Sequence, residues 1–415
     1  MKFRDYQLDL IKRGSKIIMK KGLLYLAMEV RTGKTLTSLG ICSEINASNV
    51  LFITKKRAIP SIEKDFEMLG KDFNLTTINY ESLHKLNPDD DSYDVIICDE
   101  AHCMGAFARP SGRAIQVKAL LQKHQSACIL LSGTPTPESF SQMYHQVWGH
   151  PNNPFAAYKN FYAWAKDYVT ISQMRIKGNM VNVYNKGRED LILGAMKPFM
   201  LSYTQKEAGF KSVIDEEVLT VNMDILTYRM CKKLRADKVL KGSEEVILAD
   251  TGAKMMTKLH QMYSGTVIFE SGNTKILDYS KAEFIAKKFW DDRIAIFYKF
   301  KAELDALMEV FGKKNLTTDL EEFQASDTLC IALQIVSGRE GISLRDADYI
   351  VYYNIDFSAT SYWQSRDRMT TQLRGDNKIF WVFADGGIEE KIYKVVNGKK
   401  NYTLKHFTED LTKFY

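Results

Sequence analysis

The sequence predicts an α/β protein of two tandem lobes, each with a mostly parallel β-sheet covered by helices. Its 415 residues exceed what one hydrophobic core usually serves, so two lobes of about 200 residues are expected. Short, continuous apolar runs alternate with helical patterns in the first half of the chain, and the same alternation returns in the second half. Such runs are typical of parallel strands that are buried on both faces.

The alternation assigns strands and helices to definite positions. In the first half, we predict a helix over residues 34–45 and strands at 23–27, 49–54, 93–98 and 127–132. In the second half, we predict a helix over residues 301–311 and strands at 293–298, 328–333, 349–353 and 378–383. We place the lobe boundary near Phe210, which gives a first lobe of residues 1–210 and a second lobe of residues 211–415.

The stretch from residue 152 to 275 is less regular. Residues 174–183 have the pattern of a hairpin around a Gly-Asn turn. Aromatic residues just before it recur at helical spacings, so they either stack on unpaired bases or pack on the lobe. We favour packing, because an aromatic stripe at helical spacing is usually core. The stripe and the hairpin form an insertion over about 152–187, and the aromatic residues are Phe155, Tyr158, Phe161, Tyr162, Trp164 and Tyr168.

Composition narrows the class of protein. The hydrophobic fraction of 45% and the charged fraction of 26% are ordinary for a globular protein, and the net charge of +6 permits a polyanionic partner without requiring one. The six cysteines include no Cys-x-x-Cys pair, which disfavours a zinc site and a disulfide framework and indicates a reducing compartment. The polar start disfavours a signal peptide, and the sequence has no apolar run of about 18 residues. We therefore expect a cytoplasmic protein with no membrane partner.

The first chemically informative segment follows the first predicted strand and precedes a helix. It contains Gly33-Lys34-Thr35. At such a turn, backbone N–H groups and the helix N-terminus bind phosphate oxygens, the lysine reaches the β- and γ-phosphates, and the threonine hydroxyl binds Mg²⁺. Met28 stands where the full phosphate-loop pattern has its first glycine. The segment therefore predicts a nucleotide site, and the prediction depends more on the strand–turn–helix context than on the match to the motif.

Two further segments also follow strands. Asp99-Glu100-Ala101-His102 closes the third predicted strand, where one carboxylate can hold Mg²⁺ and the next can orient the attacking water. Ser132-Gly133-Thr134-Pro135 closes the fourth, where small hydroxyl residues can sense the nucleotide. In parallel sheets, ligands bind at the carboxyl ends of the strands. All three segments are therefore expected at one edge of one sheet.

Together these segments resemble the superfamily 2 helicases of the DEAH-box type, and more closely their Swi/Snf-like DNA translocases in the compact form that bacteriophages encode. The resemblance covers most of the chain. In the first half it includes Phe3-Arg4-Asp5-Tyr6-Gln7 as an opening motif, and residues 27–35, 99–102 and 132–135 as motifs I, II and III. Further on, residues 198–206 are similar to the segment that opens the second lobe, and residues 296–298, 336–344 and 362–368 resemble motifs IV, V and VI.

The resemblance implies two RecA-like lobes with ATP and Mg²⁺ in the cleft between them. ATP would be held by Gln7, Arg31, Thr32, Gly33, Lys34, Thr35 and Gly341, and Mg²⁺ by Thr35 and Asp99. Glu100 would act on the attacking water, with Lys34, Arg368 and Arg374 stabilising the charge that develops on the γ-phosphate. The coupling of ATP to nucleic acid would involve His102, Ser132, Thr134 and Gln364.

The resemblance also implies a sequence-independent track on DNA, with contacts to phosphates and sugars. Lys55, Lys56 and Arg57 follow the second strand and are candidates for this track, although a solvated loop is an equal alternative. Tyr80 falls where a strand-contacting segment is expected. Ser202, Thr204 and Ser337 are the candidates that we assign to the second lobe.

The chain departs from the family pattern at two places. Motif VI normally carries two arginines three residues apart, and here Arg368 fills the first place while Thr371 fills the second. We prefer Arg374 as the substitute, with Arg366 and Arg339 as alternatives. In the phosphate loop, Arg31 replaces a usual glycine, and its guanidinium could touch either the nucleotide or an acidic residue. His102 could likewise be a buried structural histidine.

Three functional hypotheses remain open at this stage. The leading one is a DNA-dependent ATPase that moves along duplex or forked DNA and remodels or anneals it. Its rivals are a non-hydrolysing, ATP-controlled clamp on DNA, which the threonine at position 371 motivates, and an RNA-directed helicase. We expect a monomer, and the sequence identifies no protein partner.

Overall fold

The computed structural model describes residues 2–70, 73–86, 92–176, 179–209, 213–242, 244–335, 344–358, 361–362, 365, 376–398 and 407. The chain divides into two compact units, Met1–Phe210 and Lys211–Tyr415. Each unit contains one six-stranded sheet in which every neighbouring pair of strands is parallel. The predicted fold class, an α/β protein with two tandem lobes built on parallel sheets, is confirmed.

The first unit alternates strands with helices from its start. Its helices are α1 (Asp5–Lys21), α2 (Lys34–Glu44), α3 (Ile59–Leu69), α4 (Gly112–His124), α5 (Met143–Val147), α6 (Phe161–Tyr168) and α7 (Glu189–Met196). Its strands are β1 (Leu23–Met28), β2 (Asn49–Thr54), β3 (Asn74–Asn79), β4 (Val95–Cys98), β5 (Ala127–Leu131), β6 (Ser172–Ile176), β7 (Asn179–Val183) and β8 (Met200–Tyr203). The main sheet has the order β3-β2-β4-β5-β1-β8, and β6 and β7 form a separate antiparallel hairpin.

Alternate residues of the central strands fill two cores, one on each face of this sheet. Leu23 and Tyr25 pack into one core, while Leu24 and Leu26 pack into the other. The same alternation holds for β2, β4 and β5. Because both faces are covered, each strand needs an apolar residue at every position, which is why the strands are continuous apolar runs in the sequence.

The second unit has the same construction. Its helices are α8 (Ile225–Asp237), α9 (Gly252–Tyr263), α10 (Ser280–Lys288), α11 (Lys301–Phe311), α12 (Leu320–Ala325) and α13 (Glu389–Asn397). Its strands are β9 (Val213–Val221), β10 (Val239–Lys241), β11 (Val246–Leu248), β12 (Thr266–Ile268), β13 (Thr274–Ile276), β14 (Ile294–Tyr298), β15 (Leu316–Thr317), β16 (Cys330–Gln334), β17 (Tyr349–Tyr352) and β18 (Asp376–Ala384). The main sheet has the order β15-β16-β14-β17-β18-β9.

Two strands of the main sheets that fall in the irregular stretch were not predicted. Strand β8 is the outermost strand of the first sheet and β9 the outermost strand of the second. Strand β8 has only four residues, and the apolar run of β9 is interrupted by Asp215, Glu216 and Glu217. Charged side chains are common on edge strands because they discourage pairing with other chains. An apolar-run criterion therefore finds central strands and misses edges.

The aromatic stripe before the hairpin packs on the first lobe. Phe155, Phe161 and Trp164 are buried in the core on one face of the sheet, so the packing interpretation is confirmed for them. Tyr162 has 48% of its surface exposed. The predicted hairpin is present as β6 and β7, while its turn residues 177 and 178 lie outside the described residues. Within the described part of the chain, every helix is too short or too polar to cross a lipid bilayer.

The amino edge of the first sheet is closed by a buried histidine. His150 is 5% exposed, its Nδ1 accepts a hydrogen bond of 3.2 Å from the Asn152 backbone, and its ring packs on Gly22 at the end of α1. Gly22 has a φ of +72°, and a Cβ there would lie 2.9 Å from the imidazole, so glycine is required. A cavity of about 840 Å³ opens beside this ring, lined in part by Lys118 and Trp148.

We predict that His150 makes the first unit sensitive to acid. Burial lowers the pKa of His150 to about 4, whereas an unfolded histidine titrates near pH 6.5. Between these values the unfolded chain binds the additional proton, so the free energy of unfolding should fall as the pH drops from about 6.5 to 4, by up to about 1.4 kcal/mol per pH unit. Urea unfolding of His150→Gln should show a shallower decline over this window. Substituting the exposed His84 should leave the decline unchanged, and an equal effect of both substitutions would contradict the assignment.

Candidate nucleotide site

The segment between β1 and α2 has the backbone of a phosphate loop. Gly33 has φ +80° and caps the N-terminus of α2, so the first N–H groups of this helix point out of the loop. The buried Thr32 fixes the turn, because its hydroxyl donates a hydrogen bond of 2.7 Å to the Glu29 carbonyl. Arg31 also has a positive φ of 65°. Position 31, where the Swi/Snf-like pattern has a glycine, is thus occupied by a residue that adopts a left-handed conformation at a steric cost.

The opening motif contacts the phosphate loop through the side chains of Tyr6 and Gln7. The Tyr6 hydroxyl donates a hydrogen bond of 3.0 Å to the Thr32 carbonyl, and Gln7 Nε2 lies 3.4 Å from the Gly33 carbonyl. Gln7 Oε1 accepts from the Arg4 backbone at 3.0 Å. A side chain at Gly33 would collide with Gln7 Nε2. The structure thus brings Gln7 and Gly33 together, and reading of an adenine edge by Gln7 stays a prediction.

Residues at and after the end of β8 form hydrogen bonds with the start of the phosphate loop. The Gln205 backbone donates 2.7 Å to Glu29 Oε2, Gln205 Nε2 donates 2.9 Å to the Val30 carbonyl, and the Tyr203 carbonyl accepts from the Glu29 backbone at 2.9 Å. No local pattern in the sequence pointed to a contact between Glu29 and Gln205, because the two are 176 positions apart. The contact arises only when β8 pairs with β1.

The pairing of β8 corrects one assignment. Residues 198–206 were predicted to open the second lobe, but β8 is a strand of the first sheet. Ser202 and Thr204 therefore belong to the first unit. Ser202 is exposed at the end of that strand, while the Thr204 hydroxyl donates 2.8 Å to Glu207.

The three motif segments meet at the carboxyl edge of the first sheet. Strands β4 and β5 are neighbours, and β5 also pairs with β1. The Lys34 ammonium lies 3.4 Å from the point that a Cβ on Gly133 would occupy. Burial and the neighbouring Glu100 charge together raise the pKa of Asp99 to about 6, although the Lys34 charge opposes them. Lys34, Asp99 and Gly133 therefore share one site.

A group of close polar contacts links the second and third segments. His102 Nδ1 lies 3.2 Å from Glu100 Oε2 and 3.0 Å from Ser132 Oγ. Ser132 Oγ also accepts from the Thr134 backbone at 3.1 Å. Glu100 has a φ of +49°, a strained conformation for a residue with a side chain, and such strain concentrates at functional sites. His102, Ser132 and Thr134, which were predicted to couple the site, thus lie in one connected cluster.

Gln146 of α5 supports this cluster from below and was missed by the sequence analysis. Gln146 Nε2 donates 2.8 Å to the Pro135 carbonyl, and its Oε1 accepts 2.6 Å from the Tyr25 hydroxyl. Tyr25 and Gln146 are both buried. Gln146 therefore ties the end of the third motif to strand β1, and only the packing of α5 reveals this.

The residues present fit Mg²⁺ and a triphosphate. Asp99 and Thr35 offer carboxylate and hydroxyl oxygens, which Mg²⁺ accepts together with substrate phosphates and water. Asp99 Oδ2 is oriented by a hydrogen bond of 2.8 Å from Thr54. Thr134 Oγ1 is buried with no hydrogen-bond partner among the described residues, as expected of a group that faces a polar ligand. Within the same ranges, no group of three or more His, Cys, Asp or Glu side chains is placed to hold a metal ion.

The structure leaves some candidates for the nucleic-acid track exposed and buries another. Lys55 lies at the carboxyl end of β2, followed by the exposed Lys56 and Arg57 in a short 3-10 helix. They occupy the same edge of the sheet as the nucleotide candidates. Tyr80 is only 1% exposed, and its hydroxyl donates 2.7 Å to the Asp99 carbonyl. This placement does not fit the predicted contact of Tyr80 with a strand, because the ring lies under the acidic pair.

Most candidates of the second unit lie outside the described residues. These are Ser337, Arg339, Gly341, Gln364, Arg366, Arg368, Thr371 and Arg374. The described part of motif VI is Tyr362 and Ser365. The Tyr362 hydroxyl donates to both oxygens of Glu216, at 3.0 and 2.9 Å. The same carboxylate accepts from Trp381 Nε1 at 2.9 Å and from the Tyr393 hydroxyl at 3.1 Å. Glu216 thus joins β9, β18 and α13 to the start of motif VI.

The first unit carries a phosphate loop after β1, an acidic pair after β4 and a hydroxyl-bearing segment after β5, the strand between them. The second unit is built on a parallel sheet with the same number of strands. No protein-family model matches the sequence, and no curated protein matches it significantly. Among solved structures, the chain is similar to the Sulfolobus solfataricus SWI2/SNF2 ATPase core in complex with dsDNA, with 15% identity over 96% of this chain and 91% of that one and a TM-score of 0.43.

Proposed function

We propose that this protein is an ATP-driven translocase on nucleic acid, with DNA as its track. The observation that carries the proposal is the meeting of Lys34, Asp99 and the Glu100–His102–Ser132 cluster at one edge of the first sheet. Phosphate binding, metal binding and activation of water need these three kinds of group within one site. The motif order along the rest of the chain, which resembles the Swi/Snf-like translocases, supports the same function.

The residues of the first lobe divide the chemistry among them. The N–H groups at the start of α2 and the Lys34 ammonium bind the phosphates, with Asp99 and Thr35 as the oxygen ligands for Mg²⁺. When bound, Mg²⁺ neutralises charge on the β- and γ-phosphates. Glu100 orients the attacking water and accepts its proton, and its carboxylate lies 3.2 Å from His102 Nδ1.

The Glu100–His102–Ser132 cluster is suited to report the state of the site. A change in the charge around Glu100 alters the hydrogen bonding of His102, which is shared with Ser132. Ser132 begins the segment whose Pro135 carbonyl is held by Gln146. In the proposed cycle, this segment and the lysine-rich turn after β2 transmit hydrolysis to the bound strand.

The non-hydrolysing clamp is the second candidate, because threonine occupies position 371, where the family carries an arginine. A clamp would bind ATP and DNA through the same first-lobe residues. It would show no DNA-stimulated release of phosphate. A helicase directed to RNA would show stimulation by RNA in preference to DNA.

We predict opposite kinetic behaviour for substitutions at the two ends of the site. Lys34→Ala should abolish ATP binding, because the β- and γ-phosphates lose their cation. Glu100→Gln should bind ATP normally but hydrolyse it about 100-fold or more slowly, because a general base is lost. Nucleotide affinity by calorimetry and DNA-stimulated phosphate release check both. Lys64→Ala and Glu67→Gln on the exposed side of α3 are matched controls and should behave as wild type. Normal turnover of Glu100→Gln would remove the proposed base.

We also predict that Glu216 positions motif VI for turnover. Tyr362→Phe and Tyr393→Phe each remove one hydroxyl donor from the same carboxylate. Only Tyr362 belongs to the segment that carries Arg368, so only Tyr362→Phe should lower kcat, by about 10- to 100-fold, with the KM for ATP and the Tm nearly unchanged. Equal losses of kcat in both variants would contradict a specific role of Tyr362 in positioning motif VI.

A further inference from the structure

The hairpin of the first unit is longer than its two strands. Beyond β6 and β7, Val169 and Gly187 form an antiparallel bridge, the Thr170 backbone donates 2.8 Å to the Lys186 carbonyl, and the Arg188 backbone donates 2.8 Å to the Tyr168 carbonyl. The paired strands of the arm therefore cover the described residues 168–176 and 179–188. Among the described residues, β6 and β7 pair with no other strand. We refer to residues 168–188 as the arm.

The root of the arm is fixed next to the third motif. The Ser141 hydroxyl donates 2.5 Å to the Tyr184 carbonyl, and a Cβ on Gly187 would lie 2.6 Å from the Ser141 backbone nitrogen. Tyr184 also packs edge-on against Phe161 of α6, with ring centroids 5.4 Å apart. Ser141 directly precedes Gln142, whose carbonyl accepts from the same Gln146 amide that holds Pro135. The arm is thus rooted in the nucleotide-sensing side of the lobe.

Beyond its root, the arm exposes apolar side chains. Four large apolar residues lie within eleven positions, and their exposed fractions are 40% for Ile171, 52% for Met174, 60% for Met180 and 43% for Val181. Met174 and Val181 are register partners and so share one face. A two-stranded hairpin gains little stability alone in water. These side chains therefore indicate a partner that offers apolar surface.

The charge of the arm indicates that this partner is also an anion. Residues 168–188 contain four basic side chains and no carboxylate. The hairpins of the second unit differ, because Glu244 and Glu245 lie between β10 and β11 and Glu270 lies between β12 and β13. Neither of those hairpins carries a large exposed apolar side chain among its described residues. Basic charge and apolar exposure coincide in the arm.

Unpaired nucleotides combine these two properties. A paired duplex stacks its base faces inside and presents phosphates outside, whereas an unpaired strand presents both base faces and phosphates. Methionine adapts its shape to varied apolar surfaces, which suits contacts that must not depend on sequence. The other face of the arm carries Gln173, Arg175 and Asn182 together with the exposed Met180. Its polar side chains can meet phosphates and sugars.

We propose that the arm is a second nucleic-acid contact that binds unpaired nucleotides, with Met174 and Val181 against base faces and Arg175 against phosphates. This inference rests on the proposed function and narrows its substrate to nucleic acid with a single-stranded portion. The root contacts with Ser141 place this contact beside the segment that follows the third motif.

The test compares nucleic-acid binding by two variants of the arm with binding by one control variant on another hairpin. Binding of the full chain to oligo(dT), oligo(rU), a forked duplex and a blunt duplex is measured by fluorescence anisotropy at several salt concentrations. The double variant Met174→Ser with Val181→Ser should weaken binding of single-stranded and forked ligands about tenfold and leave the blunt duplex within about twofold. Arg175→Ala should weaken the same ligands and reduce the slope of log affinity against log salt by about 0.7, which corresponds to one lost phosphate contact on a single strand. Lys241→Ala, an exposed lysine of the β10–β11 hairpin, should bind all ligands as wild type does.

The outcomes distinguish failure of the inference about the arm from failure of the proposed function. Equal loss on blunt and forked DNA, or no loss on either, overturns the inference even if the wild-type ATPase is stimulated by DNA. Absence of any stimulated ATP hydrolysis in the wild type overturns the proposed function instead, whatever the arm binds. If Met174→Ser with Val181→Ser lowers the Tm, Arg175→Ala decides alone, because it leaves the apolar face intact. Comparison of binding to oligo(dT) and to oligo(rU) shows whether the arm prefers deoxyribose or ribose in its partner.

Discussion

The candidate site depends on one constraint, which is that neighbouring parallel strands end at the same edge of a sheet. Strands β1, β5 and β4 lie side by side and are buried on both faces, so the loops that follow them have little freedom of position. The apolar cores fix where Lys34, Asp99 and Ser132 must lie. The polar contacts of Thr54, Gln146 and Gln205 then adjust orientations within that frame.

Sequence patterns predicted the parts of the fold that burial controls. The central strands appeared as continuous apolar runs because every residue of β1, β4 and β5 meets one of two cores. Edge strands β8 and β9 were missed, since one is short and the other carries three carboxylates. The assignment of residues 198–206 to the second lobe failed for the same reason, because pairing of β8 with β1 leaves no local trace in the sequence.

The sequence also predicted part of the candidate site. Motif residues that follow strand ends were found together because strand order determines their positions. Tyr80 was misplaced because a motif position does not reveal that its side chain turns into the core beneath Asp99. Glu29, Gln146 and Gln205 were not identified, since each acts through contacts between residues far apart in the chain. Arg31 shows the reverse case, in which a residue that departs from the motif adopts a left-handed backbone conformation.

The central claim is that the carboxyl edge of the first sheet binds the triphosphate of ATP. A crystal structure with Mg²⁺ and a non-hydrolysable ATP analogue tests it most directly. The account predicts β- and γ-phosphate oxygens against the N–H groups of Gly33, Lys34 and Thr35, with the Lys34 ammonium on the same oxygens. A triphosphate bound at the opposite edge, in the cavity beside His150, would contradict it.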